Sequence, residues 1–152
     1  MAGTDAARFT VGVFQDLRWA QNGLAALIRA GLLPKSLSVV ALASAEVTAL
    51  IQQQLADSPQ TLHVAGLGEV VANGPIVRAL QGESGDLERL GLSGTMRRVG
   101  FQPHDARIFE ALTARGGVLV GIHSEPRAAD ALAVLHAYGG GNAAIGAWTG
   151  RL

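Results

Sequence analysis

The side chains best suited to chemistry in this chain are four histidines and a few serines. The histidines show neither the i, i+4 spacing nor the His-x-His spacing that zinc sites use, so we predict no metal centre. The absence of cysteine excludes disulfides, thiolate ligands and cysteine nucleophiles. Ser44 and Ser124 precede helical patterns and lie outside any Gly-x-Ser-x-Gly motif, which favours helix caps over nucleophiles. The histidines are His63, His104, His123 and His136.

A glycine-rich stretch is the chain's only approach to a cofactor motif. Gly66 and Gly68 follow a short apolar run, as the first glycines of a dinucleotide-binding turn would. The third position of that motif is Val71, where close packing needs glycine or alanine, and Glu69 would place a negative charge near the pyrophosphate. We therefore interpret the stretch as a connector into a helix and predict no cofactor.

Composition limits the class of protein and the class of partner. The chain has 152 residues, of which 49% are hydrophobic and 16% charged, and its formal net charge is zero. These values predict a single globular domain over residues 1–152. A balanced charge argues against nucleic acid or an anionic membrane surface as a partner. No signal-peptide pattern and no apolar run of about 20 residues is visible, so we expect a cytoplasmic protein.

Two stretches of the chain share a pattern, and we expect the strands and helices that they form to position any functional site. Residues 11–20 and 120–129 each begin as an apolar strand containing a glycine, turn at a polar residue and continue as a helix. Further strands are expected at residues 37–43 and 142–148. This order predicts an α+β fold of ferredoxin-like type, a βαββαβ sandwich on an antiparallel sheet. A mostly helical insertion, residues 45–116, would separate its second and third strands. A flavodoxin-like α/β sheet is the alternative.

Alternation along the strands predicts what each sheet face carries. One face would pack on the two repeat helices and hold Val11, Val13, Val39, Val118, Val120, Ile122 and Ile145. The opposite face would hold Gly12, Phe14, Val40, Leu42, Leu119, Gly121, His123, Ala144, Gly146 and Trp148. That second face is too apolar to be left in water, so inserted helices, a second subunit or both must cover it.

The candidate ligand site follows from that second face. Gly12, Gly121 and Gly146 would leave a shallow lane in which a flat ligand or another backbone approaches closely. Phe14, His123 and Trp148 would line it, with His123 as the polar group. Cover by the protein itself or by a second copy is the alternative use of the same surface.

The chain also resembles bacterial heat-induced general stress proteins. The resemblance is carried by Phe9-Thr-Val-Gly-Val-Phe14, the glycine-rich residues 66–76, Val99-Gly-Phe101 before a helix, and Gly116-Gly-Val-Leu-Val-Gly121. It implies a stress-related cytosolic protein with no assigned activity and no catalytic residues. The glycine-rich segment departs from the longer, more apolar version of many relatives.

These observations predict a non-enzymatic, stress-related module that forms homodimers and binds a partner or small ligand. The alternative is a small enzyme or a haem-type binder on a dimeric α+β sheet, with His123 as its key residue.

Overall fold

The computed structural model describes residues 9–55, 57–123 and 145–147. The strands in these ranges are β1 (Phe9–Phe14), β2 (Leu37–Leu42), β3 (Gln60–Val64), β4 (Gly68–Asn73), β5 (Val118–His123) and β6 (Ile145–Ala147). The helices are α1 (Leu17–Arg29), α2 (Ala45–Leu55), α3 (Pro75–Gln81), α4 (Asp86–Val99) and α5 (Pro103–Ala114), with a 3-10 turn at Pro34–Ser36. No helix of the described ranges is long and apolar enough to cross a membrane.

The six strands form one antiparallel sheet in the order β3-β4-β2-β5-β1-β6. The predicted α+β class is therefore confirmed, and the antiparallel pairings argue against the flavodoxin-like alternative. The sheet differs from the predicted four-stranded sandwich in strand number and order, because the insertion contributes the hairpin β3–β4. The prediction of a connector at its second strand, Gly68–Asn73, is wrong, because the glycines at 66, 68 and 74 within and around the strand obscure its short apolar run.

Side chains cap the first two long helices as their sequences predict. The carboxylate of Asp16 accepts a 3.0 Å hydrogen bond from the backbone N–H of Trp19 at the start of α1. The hydroxyl of Ser44 accepts one of 3.1 Å from the N–H of Val47 in α2. Each bond satisfies a donor that the helix itself leaves free. The predicted cap Ser124 and the second repeat helix lie outside the described residues.

Helices cover both faces of the sheet. On one face α1 and α2 pack against a core that includes Val39, Val120 and Ile122. On the other, α3, α4 and α5 of the insertion pack against Val40, Leu119 and the hairpin. The expectation that inserted helices cover the second apolar face is confirmed for the described strands.

The predicted face of β1 is wrong. Val11 and Val13 lie on the side of α3–α5, whereas Phe14 lies on the side of α1 and α2. The register explains this, because Val11 stands opposite Gly121 and Gly12 opposite Val120, and paired residues share a face. Aligning the two repeats had made Gly12 and Gly121 equivalent, but the antiparallel pairing is shifted by one residue. A strand buried on both sides gives no alternation that would reveal such a shift.

Candidate functional site

The structure does not form the predicted lane between Gly12 and Gly121. The two glycines lie on opposite faces of the sheet, since Gly12 pairs with Val120 and Gly121 with Val11. The space above Gly121 is occupied by Ile76 of α3, whose Cγ2 would lie 3.1 Å from a Cβ at position 121. Gly121 therefore permits close packing of α3 on the sheet.

The other predicted site residues are not brought together either. Phe14 and His123 lie at opposite ends of the β1–β5 pair, where Phe14 faces Val118 and His123 faces Phe9. The Phe14 ring is buried and packs directly against Gly23 of α1, where a Cβ would overlap the ring. His123 is half-buried at the end of β5. Trp148 lies outside the described residues. The proposed roles of Trp148 and His123 in ligand binding stay predictions.

A cleft that sequence reasoning missed lies at the junction of β4 and α3. It has a volume of about 190 Å³ and combines a small apolar wall with charged and amide side chains. We call it the Asn73 cleft. Its lining residues are Pro34, Lys35, Leu37, Leu55, Asp57, Asn73, Gly74 and Arg78.

The turn from β4 into α3 is built for close approach to β2. Gly74 has φ +109°, a value that side chains with a Cβ rarely adopt, and a Cβ there would overlap Ser38 Oγ and the carbonyl of Leu37. The fully buried hydroxyl of Ser38 accepts a 3.0 Å hydrogen bond from the N–H of Ile76. Pro75 occupies the first helical position, where no N–H is needed. These contacts fix where β4 ends and where Arg78 emerges.

A hydrogen-bonded pair, Asp57 and Asn73, forms one side of the cleft. The amide nitrogen of Asn73 donates to Asp57 Oδ2 at 2.7 Å, and the N–H of Ser58 donates to Asp57 Oδ1 at 2.7 Å. The Asn73 hydrogen bond lowers the pKa of Asp57 most, followed by the Ser58 hydrogen bond and the positive charge of Arg78, while burial opposes them. Asp57 is therefore a carboxylate at neutral pH.

Asn73 also presents an acceptor to the cleft. The residue is only 6% exposed, and no hydrogen bond from a described residue reaches its Oδ1. Because Asn73 lines the cleft, we take its Oδ1 as a candidate acceptor for a ligand. Its position is fixed twice, by the pairing of Asn73 with Val39 in the sheet and by the bond to Asp57.

Two cations complete the cleft, Lys35 from the turn before β2 and Arg78 from α3. Both side chains are exposed, and the Arg78 charge acts on Asp57. The arrangement can hold a carboxylate or phosphate through the cations, and a donor group through Asp57 and Asn73. The described residues of the cleft include no nucleophile paired with a base.

The sequence held little that would have revealed the cleft. Asp57 and Asn73 are 16 residues apart, and Lys35 lies on a third segment, so no local spacing connects them. The one usable signal is the pair Gly74-Pro75, which marks a strand-to-helix turn. The side chains around that turn could have been found only by folding the chain.

A second, more open groove of about 560 Å³ runs along the junction of α4 and α5 and includes Arg97 and Arg98. Arg98 is held by Asp86, at 3.0 Å, and by the carbonyl of Leu80. Among the described residues no group of three His, Asp or Glu side chains is placed to hold a metal ion.

Comparison of the whole chain with known proteins gives no counterpart. No family model matches it, and neither does any curated protein or solved structure.

Proposed function

We propose that this chain is a non-enzymatic α+β binding module that takes up a small ligand in the Asn73 cleft. The observation that carries the proposal is the convergence of Lys35, Arg78, Asp57 and Asn73 from separate segments on one concave site. Small-molecule sites combine apolar surface with a few placed polar groups, and this cleft contains both, with a larger polar share than is usual. The link to stress response rests on the resemblance to general stress proteins alone.

The cleft favours a small molecule over a macromolecule. Sites for drug-sized ligands usually measure about 300–1,000 Å³, and this cleft, at about 190 Å³, lies below that range, so it limits the ligand to a smaller molecule. Asn73 is buried and Ser38 anchors the turn behind Gly74, so this part of the cleft is fixed without a ligand, whereas the exposed cations Lys35 and Arg78 would be ordered on binding.

Self-association is a weaker part of the proposal, because the surface that motivated it is covered by α3, α4 and α5. The alternative of a haem-type binder using His123 loses its glycine lane, because Gly12 and Gly121 lie on opposite faces and Ile76 of α3 packs against Gly121. An absorbance spectrum of the purified protein tests that alternative directly, since a Soret band would establish a bound haem and overturn our preference.

The fold can be refined within the same proposal. Four strands of the sheet lie in the order β6-β1-β5-β2, in which each neighbour is antiparallel. A βαββαβ ferredoxin-like sheet also has its first and third strands at the centre, and this likeness within the larger six-stranded sheet supports a ferredoxin-like core. We propose that these strands form a ferredoxin-like core and that the hairpin β3–β4 extends it beyond β2.

The test is a screen of single small metabolites by thermal unfolding, covering amino acids, organic acids, sugars and nucleotides. At a concentration one hundred times its Kd, a ligand should raise Tm by about 5–10 °C for a domain of this size. The double variant Lys35→Glu and Arg78→Glu reverses both exposed cleft cations and should lose the shift. The matched control Arg97→Glu reverses an exposed cation outside the cleft and should keep it.

Two outcomes would contradict the proposal. If no compound raises Tm, or if the shift survives the double variant at full size, the Asn73 cleft is not the binding site.

A further inference from the structure

We infer that the ligand of the Asn73 cleft is a free acidic α-amino acid, of which glutamate and aspartate are the natural examples. This inference rests on the proposed function, because it names the ligand class for the same site. It follows from the charges of the cleft and from the placement of its acceptors and cations.

The charges of the cleft favour a ligand whose net charge is minus one and which also contains a positively charged group. Lys35 and Arg78 are positive and Asp57 is negative, so the ionisable groups that line the cleft in the described part of the chain sum to one positive charge. An acidic amino acid has two carboxylates and one ammonium group, and it therefore matches both the net charge and the individual signs. A plain dicarboxylate would leave Asp57 facing a second negative charge, which disfavours it.

The acceptors of the cleft are arranged for an ammonium group. Asp57, whose ordinary pKa is 3.8, is a carboxylate at neutral pH, and the hydrogen bonds from Asn73 and Ser58 stabilise that charge further. Asn73 Oδ1 is an additional acceptor that no described residue uses. An ammonium group has three N–H donors and no acceptor, so it suits a carboxylate beside an amide oxygen. The bond that Asn73 makes to Asp57 holds these two acceptors side by side.

The cations suit the two carboxylates of the same ligand. Lys35 and Arg78 come from different segments, the turn before β2 and helix α3, so each can take a separate carboxylate. The guanidinium of Arg78 can bind its carboxylate through two parallel N–H bonds. The apolar wall of Pro34, Leu37 and Leu55 then contacts the methylene groups between the carboxylates.

Isothermal titration calorimetry with four probes tests the inference. L-Glutamate is the expected ligand, glutarate removes only its ammonium group, L-glutamine neutralises only its side-chain carboxylate, and L-aspartate shortens it. We expect glutarate and L-glutamine to bind about tenfold or more weakly than L-glutamate, since each loses a charge-assisted hydrogen bond. Equal binding of glutarate and L-glutamate would overturn the inference.

A variant series assigns the groups. Asp57→Asn keeps an oxygen that accepts from Asn73 but loses the charge, so it should bind L-glutamate about tenfold more weakly and no longer prefer it over glutarate. The loss of preference is a ratio within one variant and does not depend on how well the variant folds. Glu83→Gln, which neutralises an exposed carboxylate outside the cleft, should retain the wild-type preference.

The results separate this inference from the proposed function. If another metabolite binds and the variant Lys35→Glu with Arg78→Glu abolishes that binding, the cleft is a ligand site and only the acidic amino acid is wrong. If nothing in the metabolite screen binds, both are wrong.

Discussion

The side-chain amide of Asn73 donates a 2.7 Å hydrogen bond to the carboxylate of Asp57. Asn73 ends strand β4 and is buried, whereas Asp57 lies in the exposed connection between α2 and β3. The bond therefore links the hairpin of the insertion to the layer of α1 and α2. It also fixes the carboxylate that Asp57 contributes to the Asn73 cleft, so the stability of this corner and the charge of the proposed site depend on the same contact.

The first prediction concerns the stability of the protein at acidic pH. The Asn73 hydrogen bond lowers the folded-state pKa of Asp57 below its ordinary value of 3.8. A carboxyl group with a lowered pKa contributes stability above the unfolded-state pKa, and this contribution is lost as pH falls through the folded-state pKa. Urea unfolding should therefore show wild type more stable than Asp57→Asn at neutral pH, with the difference shrinking below pH 3.8.

An NMR titration of the Asp57 carboxyl carbon checks the cause. Its midpoint should lie below 3.8 in wild type and rise in Asn73→Ala, which removes the largest of the effects that lower it. An unchanged midpoint in that variant would show that Asn73 does not control the ionisation of Asp57.

The second prediction concerns the turn into α3. Gly74→Ala should destabilise the protein by about 3 kcal/mol or more, because a Cβ would combine strain at φ +109° with overlap on Ser38 and the Leu37 carbonyl. The matched control is Gly116→Ala, where φ is +102° but the space around the Cβ is open. That variant should lose only about 1–2 kcal/mol. Equal losses in denaturant unfolding would show that the close approach of Gly74 to β2 is unimportant.

The third prediction concerns Gly121, which the sequence had suggested as part of a ligand lane. Gly121→Val should cost about 1–3 kcal/mol through overpacking against Ile76. Its affinity for a ligand of the Asn73 cleft should equal that of wild type, measured by calorimetry at a temperature where both are folded. Loss of binding without loss of stability would show that Gly121 belongs to a ligand site and would contradict this prediction.

The fourth prediction concerns the edge of the sheet. Strand β3 is an edge strand, and the carboxylate of Glu88 accepts a 3.2 Å hydrogen bond from its His63 N–H while Gln81 holds that carboxylate from the other side. Covering an edge in this way hinders pairing with another chain. Glu88→Ala should therefore increase self-association, as measured by light scattering over a range of concentrations.

The control for the edge experiment is Glu83→Ala, which removes an exposed carboxylate in the loop before α4. It should scatter like wild type. If Glu88→Ala also matches wild type at every concentration, the edge is protected by something other than the Glu88 side chain.

Much of the local structure was determined by the sequence itself. Asp16 and Ser44 begin helices because their side chains accept from free N–H groups one turn ahead, an interaction that involves only neighbouring residues. Pro103 opens α5 for an equally local reason, since proline at the first helical position gives up no hydrogen bond. The apolar repeats likewise predicted β1 and β5, which pair as neighbours in the sheet.

Only the tertiary structure decided the faces of β1 and the location of the cleft. A strand that is apolar on both sides can shift by one residue without exposing an apolar side chain to water, so its register depends on its partners. The shift of one residue places Gly12 and Gly121 on opposite faces of the sheet, and Ile76 packs against the face that carries Gly121. The Asn73 cleft draws its charges from three distant segments, and a long-range contact of this kind leaves no periodic trace along a chain.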